Sequence, residues 1–219
     1  RLVAEQDRVG RLADSHLFEN LPFPLEAFDP ALLRLLRERA PAALRCHRET
    51  VFFREVLVER TMFPLDLLLE DPQADWKALL HEYADAVEDL ARANVFPGDL
   101  LPKNFGVTRF GRVVFYDYDE VDLLTTCTFR RLPPEDSAEA LSSGPNDVFP
   151  EEWPRFLLRN PEHRAWLESA RPALFDPAFW NACRQQYLQG DFVDLFPYRS
   201  QRESSRNPLD PDTGCRICR

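Results

Sequence analysis

Three oxygen-bearing side chains in the middle of this 219-residue chain have the types and spacing of a phosphoryl-transfer site: Asp99, Asn104 and Asp117. Phosphoryl transfer needs a carboxylate to take or orient the proton of an attacking hydroxyl, and a hard oxygen ligand for Mg²⁺ within a few ångströms of it. The spacing D-x-x-x-x-N between Asp99 and Asn104, on a loop punctuated by Pro97, Gly98 and Pro102, brings both to one side of a tight turn. A further carboxylate must bridge metal and phosphates, and Asp117 stands eighteen residues after Asp99, just past a predicted two-stranded ribbon. Lys103 offers a cation for charge developing on the transferred group. On pattern alone, Gly98-Asp99 also reads as an ordinary turn and Asp117–Glu120 as a solvated acidic cluster.

The elements that must position these residues are legible to different degrees. Trp76–Asn94 is the strongest helix, with Leu79, Leu80, Tyr83, Val87, Leu90 and Ala91 at 3-, 4- and 7-residue spacing. Phe105–Thr108 and Arg112–Tyr116 read as a hairpin turned at Phe110-Gly111, and Val51–Glu59 as a strand ended by Pro64. Residues 1–20 read as a helix with Leu2, Val9 and Leu12 on one face. Asp29-Pro30 caps a helix over Ala31–Arg39, Leu65–Glu70 forms a helical turn, and helices recur at Pro150–Leu158, His163–Glu168 and Ala178–Gln189. Residues 130–150 read as an irregular excursion, and Ser200–Arg219 as a disordered tail. The order is α+β.

Composition narrows the partners. A formal net charge of −10 argues against non-specific nucleic-acid binding and suits a metal–nucleotide complex or a basic protein surface. No apolar run is long enough to span a bilayer, and no signal-peptide core opens the chain, which starts on Arg1 as a fragment would. Five cysteines, an odd number, point to a reducing cytoplasm rather than a disulfide framework. Cys215 and Cys218 lack a second ligand pair for zinc. His16, His47, His81 and His163 are isolated, with His81 read as a surface residue. Trp153, Trp166 and Trp180 read as core anchors, Arg130-Arg131 as a solvated pair, and Tyr116 and Tyr118 as packing on either side of Asp117.

The D-x-x-x-x-N spacing is that of the protein-kinase catalytic loop, and four stretches carry a closer resemblance. NVFPGDLLPKNFGVTRFGRVVFYDYDE (Asn94–Glu120), EQDRVGRLADS (Glu5–Ser15), LVERTMFPLDLLLE (Leu57–Glu70) and GPNDVFPEEW (Gly144–Trp153) resemble the bacterial isocitrate dehydrogenase kinase/phosphatases, with DYD in place of DFG. The resemblance runs over about residues 5–199. It implies a protein-kinase-like fold, a kinase-like domain over 1–199 consisting mostly of the helical large lobe, with remnants of the small lobe and hinge in 1–64. It also implies ATP (giving ADP) and Mg²⁺ as cofactors, isocitrate dehydrogenase as the protein substrate phosphorylated on serine and dephosphorylated again, and control of the branch between the citric acid cycle and the glyoxylate bypass.

Carried over by position, Asp99 becomes the catalytic base, and Asn104 and Asp117 the Mg²⁺ ligands. Glu59, Thr61 and Met62 fall in the hinge that meets the adenine. Asp14 matches an acidic position treated as catalytic, and Asp119, the second Asp of DYD, is placed to orient a hydrolytic water. At strand-like spacing Asp117 and Asp119 would share a face. No Gly-x-Gly pair occurs, and the two lysines, Lys77 and Lys103, sit on the long helix and the loop. The small ATP-grasping lobe is therefore expected to be largely missing. Two rival readings share these features: a small-molecule phosphotransferase of the aminoglycoside type, and a catalytically inactive interaction fragment.

Overall fold

The computed structural model describes residues 8–133 and 144–191. Leu2, the Ser200–Arg219 tail with Cys215 and Cys218, and the middle of the 130–150 excursion lie outside the described residues. Among the described residues the backbone gathers into two compact units, one of residues 14–60 and a larger one of residues 8–13, 61–133 and 144–191. Both the RLAD run and the run from Glu59 to Met62 straddle the division.

The Asp14–Arg60 unit is a three-stranded antiparallel sheet with one helix: β1 (Ser15–Pro24), α1 (Pro30–Arg39), β2 (Leu44–His47) and β3 (Thr50–Glu59), in the order β1-β3-β2. Asp29 caps α1 as its position before Pro30 predicts, its Oδ1 accepting from the amides of Ala31 (2.8 Å) and Leu32 (3.1 Å). Phe23, Phe28 and Phe53 pack ring against ring, with centroids 5.6–6.1 Å apart.

The larger unit supplies the scaffold of the candidate site. It comprises β4 (Met62–Pro64), α2 (Leu65–Glu70), α3 (Trp76–Arg92), β5 (Val95–Phe96), β6 (Phe105–Thr108), β7 (Val113–Phe115), β8 (Asp122–Leu123), β9 (Thr128–Phe129), β10 (Asp147–Val148), α4 (Pro154–Leu157), α5 (Pro161–Ala170) and α6 (Pro177–Leu188). The expected hairpin is β6–β7, with β4 added on the other side of β6 in the order β4-β6-β7. The stripe of α3 is buried at Leu79, Leu80, Tyr83, Val87, Leu90 and Ala91. Each large apolar side chain so buried contributes about 1.5–3 kcal/mol, well above any difference in helix propensity, so packing holds this helix. Asn94 ends α3 at φ 63°, the left-handed conformation Asn tolerates, and its Oδ1 accepts from the Thr125 amide at 2.9 Å. Trp153 and Trp180 anchor the far side of the core with Phe96 and Phe129, the Trp180 indole donating to the Leu174 carbonyl at 2.8 Å. Trp166 is partly buried against Trp76 and the exposed His81.

Two sequence expectations are corrected. The helix over 1–20 does not form where the chain is described: Ser15–Pro24 is a strand, paired with β3 from Ser15↔Glu59 to Pro24↔Thr50. Arg11–Ala13, just before it, is extended as well. Leu12 bridges Phe115 in parallel, the Phe115 amide donates to the Arg11 carbonyl (2.7 Å), and the Ala13 amide donates to the Phe115 carbonyl (2.8 Å). Val9 and Leu12 are buried as the helical reading required, but a three-residue spacing of two apolar residues does not distinguish a helix from an extended run laid on a core. The helix expected over Pro150–Leu158 is broken into a 3₁₀ turn, Pro150–Glu152, and α4, because Pro154 lacks the amide that would continue it. Among the described residues no helix is long and apolar enough to cross a membrane.

Candidate functional site

The Asp99 loop is built on a glycine. Gly98 takes φ +74°, and a Cβ there would stand 2.4 Å from the Glu120 carbonyl oxygen, so this loop and the Asp117–Glu120 turn approach as closely as backbone allows. Asp99 then folds onto its own loop, its amide donating to the Pro97 carbonyl (3.0 Å) and its Oδ1 accepting from the Leu101 amide (2.9 Å). Oδ2 is left facing Lys103, with Nζ at 3.8 Å. That pair is open to solvent and worth at most about 1 kcal/mol, so it does not lock Lys103 away from an anionic ligand.

Asn104 is almost fully buried at the end of the 3₁₀ turn Pro102–Asn104. Its amide nitrogen Nδ2 donates to the Asp99 carbonyl at 3.2 Å, an assignment that leaves Oδ1 as the atom available to a cation. Beneath the loop, the buried Tyr83 hydroxyl donates to the Leu100 carbonyl at 2.6 Å. Burial, and then the Asp99 charge, push the Tyr83 phenol well above its ordinary value, so it remains a donor at any physiological pH.

The end of β7 closes the other side. The Tyr116 amide donates to the Asn104 carbonyl at 3.1 Å and its hydroxyl to the Lys103 carbonyl. Burial, followed by the charges of Asp66 and Asp117, raises the Tyr116 phenol too. Asp117 follows, half-buried, and the Asp119 amide points at its Oδ1 from 3.3 Å. The strand stops at Phe115, and residues 119–120 form a turn, so Asp117 and the exposed Asp119 are not related by strand alternation as their spacing predicts. An Asp side chain capping an amide two residues on favours the turn over a continued strand.

The structure thus brings the Asp99–Asn104 loop, with Lys103, against the Asp117–Glu120 turn at two points, Gly98 on Glu120 and Tyr116 on Lys103 and Asn104. Met62 lies behind it: β4 pairs Met62 with Thr108, and the Met62 Cβ would stand 2.8 Å from a Cβ on Gly106. Thr61 is exposed between β3 and β4. Glu59 and Asp14 belong to the Asp14–Arg60 unit, where Ser15, next to Asp14, pairs with Glu59. On the larger unit's side of that division, the Ala13 carbonyl accepts from the Tyr118 hydroxyl at 2.5 Å.

Several supporting residues escape sequence reading. Arg11 is buried, donating to Asp89 Oδ2 (2.9 Å), Glu82 Oε1 (2.5 Å) and the Val113 carbonyl (2.9 Å), which ties the Val9–Ala13 run to α3 and β7. Asp66 of α2 has a buried Oδ1 with no hydrogen-bond partner among the described residues. His163 is buried and stacked on Trp76 with ring centroids 4.4 Å apart, and burial lowers its pKa. The only advance signals were an Arg ahead of an apolar residue and carboxylates on the polar side of α3, neither of which names a partner. No group of three or more His, Cys, Asp and Glu side chains is gathered as a metal site among the described residues. The donor set at the two loops is instead an amide oxygen and carboxylates, the hard oxygen ligands Mg²⁺ prefers.

The six helices and small, mostly antiparallel sheets among the described residues make this an α+β chain, compatible with a kinase-like fold. The family model for the isocitrate dehydrogenase kinase/phosphatase (AceK) kinase domain matches residues 1–200, and the chain belongs to that family. Curated relatives named isocitrate dehydrogenase kinase/phosphatase include one from Azoarcus sp. (strain BH72), 45% identical over 96% of this chain and 37% of its own length. The relative from Bordetella parapertussis is 45% identical over 92% of this chain and 35% of its own length. That from Paraburkholderia phymatum is 42% identical over 95% of this chain and 36% of its own length. The chain therefore spans a little over a third of the curated relatives it matches.

Proposed function

We propose that this chain carries the catalytic loops of a bifunctional protein serine kinase and phosphoprotein phosphatase that acts on isocitrate dehydrogenase. In that role it would set the branch between the citric acid cycle and the glyoxylate bypass. The observation that carries the reading is the Asp99–Asn104 loop held against the Asp117–Glu120 turn. Residues 1–199 act as a kinase-like domain, mostly its large lobe, with remnants of the small lobe and the hinge in 1–64, and the setting is cytoplasmic. Cys46, Cys127 and Cys183, free thiols among the described residues, are in keeping with a reducing compartment.

In the forward direction Asp99 accepts the proton as a serine hydroxyl of the substrate attacks the γ-phosphorus of ATP and ADP departs. Asn104 and Asp117 would hold Mg²⁺, which would supply neutralisation of charge on the phosphates. Lys103 stabilises charge on the transferred group. The backbone of Glu59, Thr61 and Met62 receives the adenine. In the reverse direction Asp119 orients a water that attacks the phosphoserine phosphorus, releasing phosphate and the serine hydroxyl; Asp14 is a further catalytic residue by its match to the family. Asp99→Asn in the full-length enzyme tests the reading: the fold should survive and kinase turnover fall by about 10²–10⁴. Transfer within tenfold of wild type would remove Asp99 from the role of base.

A further inference from the structure

We infer that Tyr116 is a positioning residue of this site, a clamp that keeps Lys103 and Asn104 in register with Asp117; the inference deepens the proposed phosphotransfer reading and rests on it. Two donors of one residue take two successive carbonyls of the Pro102–Asn104 turn: the Tyr116 hydroxyl bonds Lys103 O, and the Tyr116 amide bonds Asn104 O at 3.1 Å. Adjacent peptide planes held from one residue cannot roll independently, so the directions in which the Lys103 and Asn104 side chains leave the backbone are fixed together. The ring is itself seated. Its Cδ1 would stand 3.3 Å from a Cβ on Gly106, so it packs against β6 backbone where no side chain intervenes.

The chain direction makes the clamp a coupling device. Tyr116 is bonded through its peptide to Asp117, so any shift of the catalytic turn that keeps both hydrogen bonds carries the Asp117 backbone with it. The turn's other hydrogen bonds, Asn104 N to Leu101 O at 2.9 Å, Phe105 N to Pro102 O and Asn104 Nδ2 to Asp99 O, are internal to the loop and set no register against β7. Without the hydroxyl only the Tyr116 amide spans the two segments at this point, and one hydrogen bond leaves the Lys103 peptide free to tilt. A misplacement of about 1 Å suffices to cost a site of this kind up to a hundredfold in rate. The phenol acts here as a donor and exchanges no proton with substrate.

The experiment is Tyr116→Phe in the full-length enzyme, which keeps the ring and removes one oxygen. Hydrogen exchange of the Leu101, Lys103 and Asn104 amides should quicken at least tenfold while the β6–β7 amides keep their rates. The kcat for phosphorylation should fall about tenfold or more, with a smaller change in KM for Mg·ATP and an unchanged shape of the pH–rate profile. Unchanged exchange at Leu101, Lys103 and Asn104 overturns the clamp. Exchange that quickens equally throughout β6 and β7 overturns it as well, because the hydroxyl would then be a general support of the fold. Quickened local exchange with unaltered kcat overturns its role in the reaction. Asp99→Asn measured beside it keeps the two ideas apart: activity retained there sinks the phosphotransfer assignment, whereas the exchange rates judge the clamp on their own.

Discussion

Gly98→Ala is the sharpest test of how the two loops meet. Alanine at φ +74° carries left-handed strain of about 1–2 kcal/mol. Its methyl would also stand 2.4 Å from the Glu120 carbonyl oxygen and 2.8 Å from the Glu120 Cβ, about 1 Å inside ordinary contact, against backbone that cannot swing aside. Overpacking of that kind costs about 1–3 kcal/mol, for a total of about 2–5 kcal/mol. Gly190→Ala is the control: Gly190 has φ +77° with nothing within 4 Å of its would-be Cβ, so it carries the strain alone. Both glycines and all four tryptophans (Trp76, Trp153, Trp166 and Trp180) lie in the larger unit, so urea unfolding followed by tryptophan fluorescence reads the intended transition. Gly98→Ala should be the less stable of the two by about 1–3 kcal/mol, several degrees in Tm for a unit of this size. It should also lose turnover beyond its loss of stability, since the displaced backbone carries Asp99 on one side and Asp119 on the other. Equal destabilisation by the two substitutions would refute the close approach of Gly98 to Glu120 on which the site is built.

Asn104→Ala and Asp117→Ala in the full-length enzyme should each raise the Mg²⁺ concentration needed for half-maximal transfer, with excess Mg²⁺ partly rescuing Asn104→Ala; titrations that overlay wild type would contradict the metal roles. Asp119→Ala should lose dephosphorylation of phospho-isocitrate dehydrogenase far more than phosphorylation, and equal losses measured on one preparation would end that division of labour. Arg11→Met leaves the Glu82 and Asp89 carboxylates without their buried counter-charge, so denaturant unfolding should show a loss of about 3 kcal/mol or more. His163 has a pKa lowered first by burial, so the unfolded chain binds its proton more readily and stability must fall as pH drops below about 6.5. His163→Gln should flatten the fall in Tm between pH 7 and pH 5, and an unaltered slope would show that other groups set it.

Periodicity, capping and turn residues make much of the scaffold legible in the sequence. The α3 stripe, the Asp29-Pro30 cap and the β6–β7 hairpin are encoded within a few residues of where they form, so local chemistry suffices to read them. The candidate site could be picked out for the same reason, because Asp99, Lys103 and Asn104 share one loop and Asp117 lies two residues past the end of β7. What only the tertiary structure decided are pairings between distant segments. Residues 11–13 are extended rather than helical because β7 offers them carbonyl and amide partners more than a hundred positions away, and Ser15–Pro24 is a strand because β3 does. The same holds for Arg11 between Glu82 and Asp89, and for Tyr116 on the Lys103 and Asn104 carbonyls. A donor's type is written in the chain, but the acceptor it meets is selected by packing of the whole core, and no local spacing records that choice.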